Sequence, residues 1–350
     1  MRILARRLLI ALACLVCLAA GGAVVAWQAL VERIEAPHPG VPAEGVFVEI
    51  EPGDSTRAIS GRLVAAGVVV DDWTFRLAAW RSGRDRELQA GEYFFNAPVS
   101  ALEAVATIAD GRVFLRSVTF PEGLTLPEMA AVFEAGGFGA AGAFLAASGQ
   151  TGLVADLDPD AADLEGYLFP ETYALPRDAS AGDLVAAMVA QFRAELDDEM
   201  RARAAGRDLS VREVVTLASI IQRETGAAAE HAVVSGVFHN RLRIGMPLQS
   251  DPTVIYALDQ AGLYDGNLTR ANMRFDSPYN TYRYRGLPPG PIAAPGGAAL
   301  RAALAPADVS YLYFVSRNDG THAFADTLRE HNRNVREFQV EYFRRQRARR

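Results

Sequence analysis

Val211-Arg212-Glu213-Val214-Val215-Thr216-Leu217-Ala218-Ser219-Ile220-Ile221-Gln222-Arg223-Glu224-Thr225 is the stretch on which the reading of this chain turns. Val214, Leu217, Ile221 and Glu224 fall at i, i+3, i+7 and i+10, so the spacing predicts a helix with one carboxylate on its aliphatic stripe. An apolar setting disfavours the charged form, which should lift this carboxyl from about 4.3 toward the ~6–7 suited to a proton donor at neutral pH. Gly226 closes the segment and puts Glu224 in the last turn, near the edge of an expected cleft. A glutamate at a helix end more often faces solvent or pairs with an arginine, and the stripe alone does not decide between the two.

Upstream, the chain repeats itself. Val48, Ile50, Gly53, Ser55, Ile59, Leu63 and Gly67 recur 70 residues later as Val118, Phe120, Gly123, Thr125, Met129, Phe133 and Gly137. Each copy reads as a short alternating strand, a glycine turn, a Ser/Thr N-cap and an amphipathic helix ended by glycine. The second halves match as Gly91-Glu92-Tyr93-Phe94-Phe95 with Gly166-Tyr167-Leu168-Phe169-Pro170, followed by helices around Leu102 and Leu184. Two related β-α-α-β-α-like units are therefore expected. The first resembles the LysM module, leaving open whether it binds glycan or acts as a spacer.

Further upstream, Leu8 to Leu30 carries no formal charge and follows Arg2, Arg6 and Arg7. As a helix it would run ~35 Å, enough to cross a hydrocarbon core. The arginines then place the N-terminus in the cytoplasm and the rest outside. A cleaved signal peptide would have a shorter apolar core and a clear cleavage site. Pro37, Pro39, Gly40, Pro42 and Gly45 read as a stiff spacer.

Composition removes several chemistries. The net charge of −7 provides no basic field for nucleic acid. All 35 basic residues are arginine, which excludes Schiff-base chemistry, Ser–Lys dyads, a P-loop and a pyridoxal-phosphate lysine. Both cysteines, Cys14 and Cys17, lie in the apolar run, leaving no thiol nucleophile or zinc thiolate in the rest of the chain. His322 and His331 sit near Asp326 and Glu330, but no H-E-x-x-H pattern supports a metal, and neither metal nor cofactor is expected. No G-x-S-x-G elbow is present.

Downstream, Ala218 to Thr225 is followed by Val237-Phe238-His239-Asn240-Arg241-Leu242, Met246 to Tyr256, Tyr279-Asn280-Thr281-Tyr282 and Gly286-Leu287-Pro288-Pro289-Gly290-Pro291-Ile292. Tyr311 to Val315, Gly320-Thr321-His322-Ala323-Phe324 and His331-Asn332 complete the series, and Leu164 to Tyr173 precedes it. In this order the motifs resemble those of the endolytic murein transglycosylases, the YceG-like family. The likeness extends from about Val46 to the C-terminus and is tightest from Ala218 to Asn332.

That resemblance implies a single-span enzyme of the bacterial inner membrane with its catalytic domain in the periplasm. It would cut peptidoglycan at the MurNAc–GlcNAc β-1,4 bond within glycan strands, leaving 1,6-anhydroMurNAc ends and setting strand length, with wall synthases as possible partners. The family's catalytic glutamate maps onto Glu224. Many relatives carry a second Glu where this chain has Gln222, which by spacing stacks on Ala218 instead of the Glu224 stripe. Gln249, Thr253 and Asn280 are candidates to hydrogen-bond sugar, and Tyr256 and Tyr282 to stack on it. Asp251 would either stabilise an oxocarbenium ion or cap the helix begun by Asp251-Pro252, with the cap favoured. A non-catalytic wall-binding scaffold and a muramidase remain the alternatives.

The expected fold class is α+β: a transmembrane helix, LysM-like α/β subdomains with an internal repeat, and a C-terminal mixed α+β catalytic domain. The expected divisions are 1–7 cytoplasmic tail, 8–30 membrane helix, 31–45 linker, 46–115 LysM-like unit, 116–199 second related unit, 200–343 catalytic domain and 344–350 arginine-rich tail.

Overall fold

The computed structural model describes residues 2–348. Met1 of the expected cytoplasmic tail and Arg349 and Arg350 of the arginine-rich tail lie outside the described residues. The chain divides into two compact units, with the boundary between Arg116 and Ser117.

The first unit opens with helix α1, Arg2–Glu35. From Leu12 onward it is long and apolar enough to cross a membrane, and none of that apolar window is buried in protein. The helix outruns the expected 8–30 span, its last turn held by the rest of the first unit. Ile34 is fully buried in that core, Arg33 Nε donates to Thr74 Oγ1 at 3.0 Å, and Glu35 pairs with Arg81 at 3.2 Å. Residues 31–35, expected to begin the linker, are thus helical.

Strand β1 (Val46–Ile50) leads to α2 (Thr56–Ala65), α3 (Asp72–Ser82), β2 (Gly91–Phe95) and α4 (Ala101–Ala109). β1 and β2 are antiparallel, Val46 opposite Phe95 and Ile50 opposite Gly91. This register turns Val48, Ile50, Tyr93 and Phe95 onto one face, where they bury against Ile59, Leu63, Phe75 and Val105. The helix starts are fixed chemically: Ser55 accepts from Ala58 N, Asp71 from Thr74 N, and Ser100 forms a capping box with Glu103. Each such cap stabilises by about 1 kcal/mol.

The second unit begins with the same order: β3 (Arg116–Thr119), α5 (Leu126–Ala135), α6 (Ala141–Ala147), β4 (Thr172–Leu175) and α7 (Ala181–Glu195). β3 pairs with β4. Thr125 caps α5 as Ser55 caps α2, and Gly53 and Gly123 turn with φ of +88° and +82°. The second halves require a correction. Gly166–Pro170 does not form the matching strand; that strand is Thr172–Leu175. Tyr173 is the counterpart of Tyr93, since each donates its hydroxyl to the carbonyl four residues earlier, Phe169 and Gln89. Ser180, in a capping box with Asp183, is the counterpart of Ser100. The offset is therefore 70 residues at Ser55/Thr125 and 80 at Ser100/Ser180, and the extra length falls between α6 and β4.

After α8 (Asp198–Ala205) comes α9 (Val211–Glu224), then α10 (His231–Arg243), α11 (Asp251–Gln260) and α12 (Gly297–Leu304). The hairpin β5 (Tyr313–Ser316) and β6 (His322–Ala325) follows, with α13 (Leu328–Val335), a π-helical turn and α14 (Tyr342–Ala348). One core runs from Val118 to Leu304, so the division expected at 199/200 falls inside a continuous packing unit. At its centre, α9 buries every residue from Val214 to Ile221. The expected single stripe is a helix covered all round, because α8, α10, α11 and α12 all pack on it.

Candidate active site

The last turn of α9 carries Glu224 to the edge of a cleft of about 540 Å³. α9 starts in a Ser210/Glu213 capping box and is pinned along its length. Ser219 Oγ accepts Ile292 N at 3.0 Å, tying the Gly286–Ile292 loop to the helix. The segment Asp158–Tyr167 adds a second brace: Asp158 accepts from Tyr167 Oη at 2.6 Å and from Arg212 Nε at 2.9 Å. Gly166, at φ +82°, lies so close to Val215 and Pro291 that a Cβ there would meet the proline ring at 2.5 Å. These braces fix the direction in which Glu224 leaves the helix.

Glu224 Oε1 accepts a hydrogen bond from Ser250 Oγ at 2.5 Å. Burial pushes the carboxyl up to about 7; the Ser250 bond opposes the rise, Asp251 adds to it and Arg241 opposes it. A group with that pKa exists in both forms near neutrality, which is what an acid or base catalyst needs.

Around it the cleft is lined by Arg241, Gln249, Asp251, Tyr282, the β5 residues Tyr313–Ser316, and His322, Leu328 and His331. Gln249 has φ +50°, a left-handed turn that costs a non-glycine residue about 1–2 kcal/mol. It delivers Ser250, whose N–H donates to Thr281 Oγ1 at 3.0 Å. Tyr282 Oη donates to Asp251 Oδ1 at 2.5 Å. Asp251 therefore does not cap its helix: Ser250 holds the cap position, makes no capping bond and gives its hydroxyl to Glu224 instead.

Of the sequence-derived candidates, Glu224, Gln249, Asp251 and Tyr282 meet at the cleft. The other three do not line it. Thr253 is fully buried and bonds Ser250 O at 2.7 Å and Thr281 Oγ1 at 2.9 Å, bracing the loop from behind. Asn280 is also fully buried; its amide donates to Phe275 O at 2.7 Å and its oxygen accepts Tyr282 N at 3.0 Å. Tyr256 is buried, packs at 5.0 Å from Tyr279, and accepts from Gln260 at 2.7 Å. Gln222 turns from the cleft, its amide oxygen accepting Gly296 N at 3.1 Å.

Several cleft groups had no role assigned from sequence. Arg241 is buried; its Nε donates to Leu312 O at 2.7 Å and Nη1 to Leu248 O at 2.5 Å, and its guanidinium lies 5.6 Å from the Tyr313 ring centroid. With His239 on Ala303 O and Asn240 on Val309 O, it seams α10 to the segment that leads into β5. Ser250 stands one residue before the Asp-Pro helix start, where a serine is usually a cap; that position was the available signal. The partner of His322, Glu230, lies 92 residues away and no local pattern joins them.

A family model described as the YceG-like family matches residues 48–337. The chain is similar to an endolytic murein transglycosylase of Bacillus subtilis (strain 168), with 31% identity over 329 residues that cover 89% of each chain. It is similar to another of that name from Streptococcus pneumoniae serotype 2, with 29% identity over 83% of this chain and 58% of the relative. It also resembles the crystal structure of a YceG-like protein from Listeria monocytogenes, with a TM-score of 0.57 and 30% identity, covering 83% of this chain and 99% of that one.

Proposed function

The chain belongs to the YceG-like family, and from that premise we propose that it is a lytic transglycosylase that cuts peptidoglycan strands internally at the MurNAc–GlcNAc β-1,4 bond. The observation that carries this reading is Glu224: one carboxyl, raised to about 7, held by Ser250 at the wall of an open cleft.

Protonated Glu224 gives its proton to the glycosidic oxygen as the C1–O4 bond breaks. The sugar's own C6 hydroxyl then closes on C1 and its proton ends on the Glu224 carboxylate, leaving a 1,6-anhydro end without consuming water and the acid restored. A carboxyl poised near neutrality suits both states that Glu224 passes through. Arg241 favours the carboxylate once the proton has left. Gln249, Asp251 and Tyr282 are placed to hold sugar hydroxyls or the N-acetyl group, whereas Thr253 and Asn280 shape the loop that presents them.

The strand–helix–helix–strand order of residues 46–95 supports a LysM-like unit at 46–115. α1 supports a single membrane anchor with the second unit, and its catalytic region at 200–343, on the periplasmic side.

The test is digestion of purified glycan strands by wild type and Glu224→Gln. Wild type is expected to release products with anhydro ends, lighter by one water than hydrolysed ends, and the variant to lose about 10²–10⁴-fold in rate. Equal product from both would remove the enzyme, and hydrolysed ends would make it a muramidase.

A further inference from the structure

The proposed reaction moves two protons, one onto the leaving oxygen and one off the C6 hydroxyl. Glu224 accounts for the first. The cleft holds two histidines, His322 and His331, and their surroundings differ in the way that separates a proton acceptor from a bystander.

His322 opens strand β6, opposite Ser316. Its Nδ1 lies 2.7 Å from Glu230 Oε2, and its backbone N–H donates to Glu230 Oε1 at 3.0 Å, so one carboxylate clamps both the ring and its main chain. Glu230 is six residues beyond Glu224 and also accepts from Thr225 Oγ1 at 3.4 Å, so the clamp is bonded to the residue that follows Glu224. With Nδ1 committed to the carboxylate, Nε2 is the nitrogen left for the cleft. Among the described residues no protein group engages it. The Phe314 ring stands edge-on at 5.4 Å and Phe324 lies at 6.3 Å, leaving Glu230 as the carboxylate in direct contact with the ring.

His331 has the opposite setting. It stacks on Tyr313 at 5.3 Å, its Nδ1 is buried without a partner, and burial and Arg241 both lower its pKa. Among the described residues no carboxylate is bonded to its Nδ1. The remaining charged groups facing the cleft are Arg241 and Asp251, the first bound to carbonyl oxygens and the second to Tyr282.

We propose that His322, oriented by Glu230, is the base that accepts the C6 hydroxyl proton when O6 bonds to C1. This rests on the lytic reading above. Atoms balance without a co-reactant: C1–O4 breaks as Glu224 protonates O4, C1–O6 forms as the O6 proton passes to Nε2, and the imidazolium then returns one proton to the Glu224 carboxylate. The two carboxylates are thereby divided, Glu224 for the leaving group and Glu230 for the base.

The experiment compares anhydro-product kinetics of the full-length wild type, Glu224→Gln, His322→Ala and His322→Asn, with melting curves for each. Asn keeps a donor toward Glu230 and so keeps the hairpin tied, which covers the case in which the alanine variant fails to fold. Both His322 variants are expected to lose about 10²-fold in kcat with KM within about threefold. Added imidazole, entering the space vacated in His322→Ala, should restore part of the rate in proportion to its concentration. Two results overturn the assignment while leaving the lytic reading intact: kcat within about twofold of wild type in both variants, or a loss in folded His322→Ala that imidazole leaves unrestored. Activity in Glu224→Gln, or an absence of anhydro ends from wild type, would instead bring down the lytic reading on which it rests.

Discussion

The two β-α-α-β-α copies start from the same chemistry and end in different roles. In the first, the chain passes from α3 to β2 in a short loop and the copy closes over its own core, helped by Ile34. In the second, the chain between α6 and β4 is longer, and the added segment carries Asp158 onto Arg212 and Gly166 against Val215 of α9, and Glu165 onto the Leu126 N–H that starts α5. The glycine turns show the same divergence. Gly53 has open space around its Cβ position, whereas Gly123 donates its N–H to Ala294 O and accepts Arg223 of the catalytic turn on its carbonyl at 2.8 Å. The second copy supports the cleft through one longer loop, keeping the strand pairing and the caps at Thr125 and Ser180 but not the one that Asp71 gives α3, since Ala140 starts α6 without a side-chain cap.

The largest expected effect lies in that loop. Gly166→Ala must place a Cβ against Pro291 and Val215 in a left-handed conformation, and should cost about 3 kcal/mol in a urea melt. Gly53→Ala, with the same backbone sign but open space, should cost only about 1 kcal/mol. Equal costs would show that the loop is loosely seated and break the contrast.

Glu165 sharpens it next. This carboxyl is buried and pushed up to about 8, chiefly by desolvation, with the Leu126 N–H opposing. Because the folded pKa lies above the unfolded one, the native state holds the proton more tightly. No stability is lost at pH 4, and stability falls as pH rises from there through about 8. Glu165→Gln should therefore melt like wild type at pH 4 and be more stable at pH 7, by about 3 kcal/mol. A gap that does not change with pH would mean that the site is solvated.

The smallest effect tests what the copies still share. Ser100→Ala and Ser180→Ala each remove one half of an equivalent capping box, and each should cost about 1 kcal/mol by thermal melting. Costs differing by more than that would show that the 80-residue match is not an energetic one.

Much of this was legible in the residues themselves. The 70-residue recurrence located β1, β3 and the caps at Ser55 and Thr125, since local hydrogen-bond chemistry fixes those features. The match failed in the second halves, where Gly166-Tyr167 imitates Gly91-Glu92-Tyr93 closely enough to hide the longer loop. At the cleft, the aliphatic neighbours of Glu224 pointed to a raised pKa. The roles of Thr253, Asn280 and Tyr256 were not legible, because a polar residue in a loop serves equally well as a ligand contact or as a brace. Only its neighbours decide which.

By itself, the sequence determined the uncharged N-terminal run, the strand–helix order of the two copies, and a lone carboxylate among aliphatic residues. These depend on periodicity and on neighbours a few positions apart. The tertiary structure alone decided that Ser250 serves Glu224 instead of its own helix, that Arg241 binds the carbonyls of Leu248 and Leu312, and that Glu230 stands behind His322. Each of those contacts joins segments whose side chains meet only when the shared core is packed. Burial then raises the Glu224 carboxyl while the same packing fixes the direction of each contact.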